Sequence, residues 1–214
     1  ALALSLAACG GSGVNTEVAT QYVQGILDRN YLGQYDADFL ELIDCSEKEA
    51  EEDYLDGLEV EANYFAGVFG IDFMEGDVLD EAVDLYRQVY ARSRFTVDPA
   101  AKIDDATYGV KVTVEPIDVF HLVADELTSD TPASSLVQAF DAAYSEQMTD
   151  EEYQAYDAAW ARMIIGLTLE KLPESGYLEA ESKVVQVVRD EEDLWSIPQS
   201  DYDDLDGRII DYNF

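Results

Sequence analysis

Twice along this chain, segments with apolar residues at helical spacing give way to a segment with apolar residues at spacing two. That alternation of periods restricts the fold more than any motif, because a period of 3.6 buries one face of a helix and a period of two buries one face of a strand. The first helical series runs from Thr16 to Tyr31, with Val18, Tyr22, Ile26 and Leu27 on one face and Gly33 as its stop. A short helix over Asp36 to Ile43 follows. Ser46-Glu47-Lys48-Glu49 then reads as a capping box opening a helix with Ala50, Tyr54, Leu58, Phe65 and Phe69 inward and Gly70 as its stop. A fourth helix over Asp77 to Ala91 is expected to bury Leu79, Val83, Tyr86 and Tyr90.

The period then changes. Arg92 to Val97 reads as one strand and Tyr108 to Glu115 as another, the latter alternating Val110, Val112 and Val114 with Lys111, Thr113 and Glu115. Asp98-Pro99 through Asp104-Asp105 is a turn-rich connection that suits an antiparallel pair. Helical spacing returns in Ile117 to Leu127 and in Ala133 to Met148, which has Thr131 as cap and Pro132 in the first turn. A second capping box, Thr149-Asp150-Glu151-Glu152, opens a long helix with Tyr153, Tyr156, Trp160, Met163, Ile164 and Leu167 in one stripe. Beyond Pro173 to Gly176, Glu179 to Arg189 has valines on both faces, which places it centrally in a sheet. Leu194 to Ile197 completes a hairpin, and Ser200 to Tyr212 forms a last helix with Leu205 and Ile209 inward. The expected fold is α+β and helix-rich, with an antiparallel sheet of about four strands against amphipathic helices. The repeated order hints at duplication, but no residue-level repeat accompanies it, so residues 16–214 are taken as one domain.

Charge narrows the function. Asp and Glu number 47 against 12 Lys and Arg, a formal net charge of −35. Such a chain repels phosphate, and no basic cluster interrupts the acidity, which excludes nucleic acid as a partner. The N-terminal Leu6-Ala7-Ala8-Cys9, preceded by apolar residues and followed by Gly10-Gly11-Ser12-Gly13, matches a lipoprotein signal, in which small residues fit the peptidase and the cysteine thiol is alkylated. Residues 1–9 are then a signal remnant with Cys9 as the lipidation site, and residues 10–15 a flexible tether. The apolar run is too short to span a bilayer, which takes about 20 residues. The expected setting is the extracytoplasmic side of a cell membrane, with the lipid on Cys9 as anchor and an envelope protein or glycan as partner. Cys45 then has no partner within the chain and reads as a small buried hydrophobe.

Few residues point to chemistry. His121 is the one histidine and sits in the apolar stretch Val119 to Val123, so a histidine-rich zinc site cannot be assembled. Gly-x-Ser-x-Gly, phosphate-loop and dinucleotide patterns are absent, and no cofactor is implied. Asp201, Asp203, Asp204 and Asp206 before Gly207 resemble a calcium loop only superficially: with Gly207 at the sixth position, Tyr202 falls at the first and Asn213 at the twelfth. They are the one metal candidate, and a weak one, because Ser200 with Asp203 and the spacing of Leu205 and Ile209 fit a capped helix. Trp160 and Trp195 are candidates for stacking on a ligand, although core packing accounts for both. A carboxylate pair performing glycoside hydrolysis, or a solute-binding accessory role, is the alternative to a binding or scaffolding module.

The Cys9 motif, the helix through Asp28-Arg29-Asn30-Tyr31, the strand ending Glu115-Pro116-Ile117-Asp118-Val119-Phe120 and the tail Ile209-Ile210-Asp211-Tyr212 together resemble uncharacterised lipoproteins of Gram-positive, gut-type bacteria that carry a domain of unknown function. The hairpin ending Leu194-Trp195-Ser196-Ile197 is also similar to the closing hairpin of cone-shaped α+β folds such as the nuclear transport factor 2-like group. The first resemblance implies an envelope location. Neither brings a catalytic residue.

Overall fold

The computed structural model describes residues 14–191 and 193–214, so Cys9 and the motif around it lie outside the described residues. The fold is α+β. The described residues divide into two compact units, one of residues 14–57, 90–116 and 177–210, the other of residues 58–89, 117–176 and 211–214.

The first unit carries the sheet. Helix α1 (Thr16–Leu27) starts at Asn15, whose side chain accepts the N–H groups of Glu17 and Val18 at 2.9 and 3.0 Å. Val14 is also tied down, its carbonyl accepting the Tyr108 hydroxyl at 2.7 Å. Both residues belong to the stretch 10–15 read from sequence as a tether, of which residues 10–13 lie outside the described residues. Past Leu27 the helix widens into a π-helical turn, Asp28–Leu32, ended by Gly33 in the left-handed conformation. Helix α2 (Ala37–Leu42) is capped by Asp36, and α3 (Glu47–Phe69) opens on the expected reciprocal bonds between Ser46 and Glu49.

Strands β1 (Arg94–Val97) and β2 (Ala101–Asp104) lie in succession along one edge of β3 (Thr107–Glu115). They form an edge interrupted at Pro99, which has no N–H to give. On the other side β3 pairs antiparallel with β4 (Glu181–Arg189), and β4 with β5 (Trp195–Ser196). Tyr108 faces Val187 and Val110 faces Val185 in register, so Val110, Val112, Val185 and Val187 form one fully buried face. Val184 on the opposite face is half exposed. Helix α8 (Gln199–Asp206) begins after Pro198, with no side-chain cap, so Ser200 lies inside the helix and is not its start. Leu205 and Ile209 point inward as expected.

The second unit is helical. It comprises the rest of α3 with α4 (Gly76–Tyr90, to Val89), α5 (Val119–Thr128), α6 (Pro132–Ala143), α7 (Asp150–Lys171) and the tail from Asp211. Its centre is aromatic: Phe120 lies 6.0 Å from Phe65 and stacks on Tyr212 at 4.8 Å, while the Tyr212 hydroxyl meets those of Tyr86 and the Glu61 carboxylate. In α4 the buried residues are Val78, Ala82, Leu85, Tyr86, Val89 and Tyr90; Tyr86 and Tyr90 are inward as expected, whereas Val78 and Ala82 take the places expected of Leu79 and Val83, which are half-buried. In α7 the buried face is Asp157, Ala161, Ile164, Ile165 and Thr168, and the tyrosine and tryptophan stripe lies beside it, half-buried.

Candidate functional site

Each unit presents one surface with the chemistry of a site. In the second unit it is the aromatic face of α6 and α7. Leu136, Phe140 and Tyr144 follow at four-residue spacing from α6 to its C-cap, and Tyr153, Tyr156 and Trp160 at three and four along α7, so each set shares one side of its helix. Phe140 meets Tyr156 and Trp160 edge to face at 5.5 and 5.4 Å, and Tyr153 stacks on Tyr156 at 6.2 Å. Tyr144 lies 6.4 Å from Tyr153 and 6.0 Å from Tyr156, and Phe73 extends the series, 5.9 Å from Tyr153. Helix α6 has no buried residue, and Tyr144 and Leu136 are 51% and 50% exposed, so the rings stay accessible. Ring pairs in these offsets hold one another in place with little side-chain entropy left to lose.

Carboxylates frame the rings. Asp157, buried, accepts the N–H groups of Asp72 and Phe73 at 3.0 and 2.9 Å and so fixes the loop that carries Phe73. The Tyr153 hydroxyl donates to the Asp72 carboxylate, which with burial pushes that phenol up to about 12. Burial raises Tyr156 as well, and Asp141 and Asp157 add to the rise. Trp160 donates its indole N–H to the Phe69 carbonyl at 2.8 Å, which sets the ring's orientation.

In the first unit the surface is polar. A cleft of about 520 Å³ lies between α1 and α2, with Gln21, Gln24 and Asp28 on one side and Tyr35, Asp36 and Asp38 on the other, and with Phe39 packed against Gly25 as its floor. Gln24 and Asp28 also line a second cleft of about 460 Å³ with Arg94, Thr96 and Glu115. Burial pushes the Asp28 carboxyl above the ordinary aspartate range; the Gln24 amide, donating at 2.9 Å, pulls it back, and Asp36 adds to the rise. Asp28 opens the π-helical turn, whose next three residues are each held separately. Arg29 pairs with Asp53 at 2.9 Å, Asn30 donates to the Tyr202 hydroxyl at 2.7 Å, and Tyr31 donates to Asp206 at 2.6 Å. The extra residue of a π turn is a frequent mark of a functional segment, and here it sets four polar side chains on four partners.

The residues singled out from sequence are dispersed. Asp201 accepts the Gln186 backbone N–H at 2.8 Å, Asp203 the Gln199 amide at 2.6 Å, Asp204 bonds Lys183 and Arg208, and Asp206 takes the Tyr31 hydroxyl. All four are engaged by protein groups, Asp201 and Asp204 sharing Lys183, and no group of three or more metal-ligating side chains occurs among the described residues. Trp195 is buried in the sheet, 5.4 Å from Tyr108, with the Arg189 guanidinium over its ring. His121 bonds Asp211 at 2.7 Å, and this bond with those from Asn213 outweighs burial to hold the Asp211 carboxyl low. Cys45 is half-buried, and burial raises its thiol, which leaves little nucleophilic thiolate. No helix among the described residues is long and apolar enough to cross a membrane. The aromatic face was missed as a surface, although two signals mark it: the four-residue spacing of Leu136, Phe140 and Tyr144, and the lack of any Lys or Arg from Val112 to Ala161.

No family model and no curated protein matches the chain in sequence. In fold it is similar to the crystal structure of a candidate lipoprotein, ycdA, of Bacillus subtilis, with a TM-score of 0.61, 16% identity and 91% of this chain covered. The match covers 56% of that protein, so the chain spans little more than half its length.

Proposed function

We propose that this chain is the extracytoplasmic part of a lipoprotein, anchored through Cys9, and that it acts by binding a partner at the cell envelope. The observation that carries the binding role is the accessible ring cluster on α6 and α7, a type of surface that proteins expose mainly for recognition. The anchor is supported by the Leu6 to Cys9 motif and by the fold shared with a candidate lipoprotein. Two acyl chains, at about 0.8 kcal/mol per buried methylene, hold a domain on a membrane where a bare peptide does not. Expressed behind a lipoprotein leader in a Gram-positive host, the chain fractionates with membranes and Cys9→Ser appears in the medium; a Cys9→Ser protein that stays on the membrane overturns the anchor.

A second reading, carboxylate-based hydrolysis, is favoured by the first cleft. Its raised Asp28 suits a general acid, and Asp36, whose side chain accepts the Phe39 N–H at the start of α2, lies across the cleft as the second carboxyl group. Hydrolysis of envelope glycan abolished by Asp28→Asn supports this reading, and equal turnover by that variant removes it.

A further inference from the structure

The geometry points to the aromatic face of α6 and α7 as the docking surface for an arginine- and lysine-rich segment of a partner protein, which rests on the binding role above. Six rings form one connected patch, from Phe73 through Tyr153, Tyr156 and Tyr144 to Phe140 and Trp160. The π face of each ring is electron-rich and attracts a guanidinium or ammonium group. The patch supplies no cation of its own: the fifty residues from Val112 to Ala161 contain eleven Asp and Glu and neither Lys nor Arg. The nearest basic residue along the chain, Arg162, is already paired with Glu81 at 2.9 Å, and Lys171 with Glu126 at 2.5 Å.

Charge decides among occupants. An apolar partner laid on these rings would strip water from Asp141 and from the Asp72 carboxylate beside Tyr153 without compensating them, which is costly. An anionic partner is repelled by the same groups. A cationic segment satisfies both, its side chains stacking on the rings while their N–H groups meet the carboxylates. The exposed Tyr144 and Leu136 offer the first point of contact, and the half-buried Tyr153, Tyr156 and Trp160 form the floor.

The test uses the full chain carrying Cys9→Ser, with a short fluorescent peptide of alternating arginine and glycine as probe and a glutamine–glycine peptide as control. Binding is measured by anisotropy at about 0.15 M salt, where unstructured attraction between exposed charges is largely screened. Three variants keep the net charge constant: Tyr144→Ala, Tyr144→Ala with Tyr156→Ala, and Tyr64→Ala at an exposed ring outside the patch. Loss of two ring contacts weakens arginine-peptide binding by about tenfold, and loss of Tyr144 alone by about threefold, with Tyr144→Phe restoring it. Tyr64→Ala leaves binding unchanged. Equal affinity across all variants would mean diffuse attraction to a polyanion and overturns the proposal. Tighter binding of a neutral chitin oligosaccharide, lost in the same variants, also overturns it and makes the face a glycan site. Neither outcome depends on Cys9, so the anchor stands or falls separately in the fractionation experiment.

Discussion

Replacing Gly25 with alanine tests how α1 and α2 are joined. In an isolated helix the change is favourable, since glycine costs about 1 kcal/mol relative to alanine. Here a Cβ would sit 2.0, 2.4 and 2.6 Å from three ring atoms of Phe39, against the 3.5–4.0 Å of ordinary carbon contact. No small adjustment removes three overlaps of that depth, so the ring must leave its site. Phe39 is 7% exposed on a helix of six residues, and expelling it forfeits about 2–3 kcal/mol of burial. Net of the propensity gain, Gly25→Ala destabilises by about 1–2 kcal/mol, which lowers Tm by about 3–6 °C in a chain of this size. Gly57, in the middle of α3 with nothing within 4 Å of its Cβ position, provides the control, and Gly57→Ala stabilises by about 0.5–1 kcal/mol. Thermal unfolding followed by far-ultraviolet circular dichroism separates the signs. Adding Phe39→Leu to Gly25→Ala recovers part of the loss. A Gly25→Ala protein as stable as its parent refutes the argument.

Asp53→Ala leaves the buried Arg29 guanidinium unpaired and costs about 3 kcal/mol, measured by urea unfolding; Arg29→Met with Asp53→Leu restores most of it. Trp160→Ala, which removes a half-buried ring and its bond to the Phe69 carbonyl, costs about 2–3 kcal/mol, and an unchanged midpoint would place the ring outside the packing altogether. Burial raises the folded-state carboxyls of Asp28 and Asp206, so their contribution to stability is complete below the unfolded value near 4 and is lost as pH rises through the raised one. Stability therefore declines as pH rises from about 4 through the raised values, a decline that Asp206→Asn reduces; a Tm profile over acidic pH that Asp206→Asn leaves unchanged contradicts this.

What the sequence reveals follows the range of the interactions. The Val110, Val112 and Val114 alternation, both capping boxes and the stops at Gly33 and Gly70 are local signals, and the elements they mark are present. Ala101 to Asp104 carries no such signal, since all four residues are exposed, and β2 is a strand only because β3 pairs with it. In α4 the small Ala82 helps define the buried face, so counting large residues alone finds Tyr86 and Tyr90 but puts Leu79 and Val83 where Val78 and Ala82 lie. The π-turn network is out of reach of any window, since Asn30 and Tyr31 find partners 172 and 175 residues away. The α7 stripe was legible as apolar, but its accessibility depends on α6 burying nothing, a property of packing that periodicity does not contain.

The interrupted strand beside β3 bears on self-association. An open sheet edge is a template on which a second copy of the chain can add a strand. Here one edge is two four-residue pieces parted by Pro99, the second containing the charged Lys102 and Asp104. At the other edge β5 is two residues long, and where it stops the Asp201 carboxylate takes the Gln186 N–H that a foreign strand would need. The acidic helix α8 thus covers the sheet beyond the end of β5, and Asp201→Ala would free the Gln186 N–H and open a stretch of β4 to strand addition by a second copy.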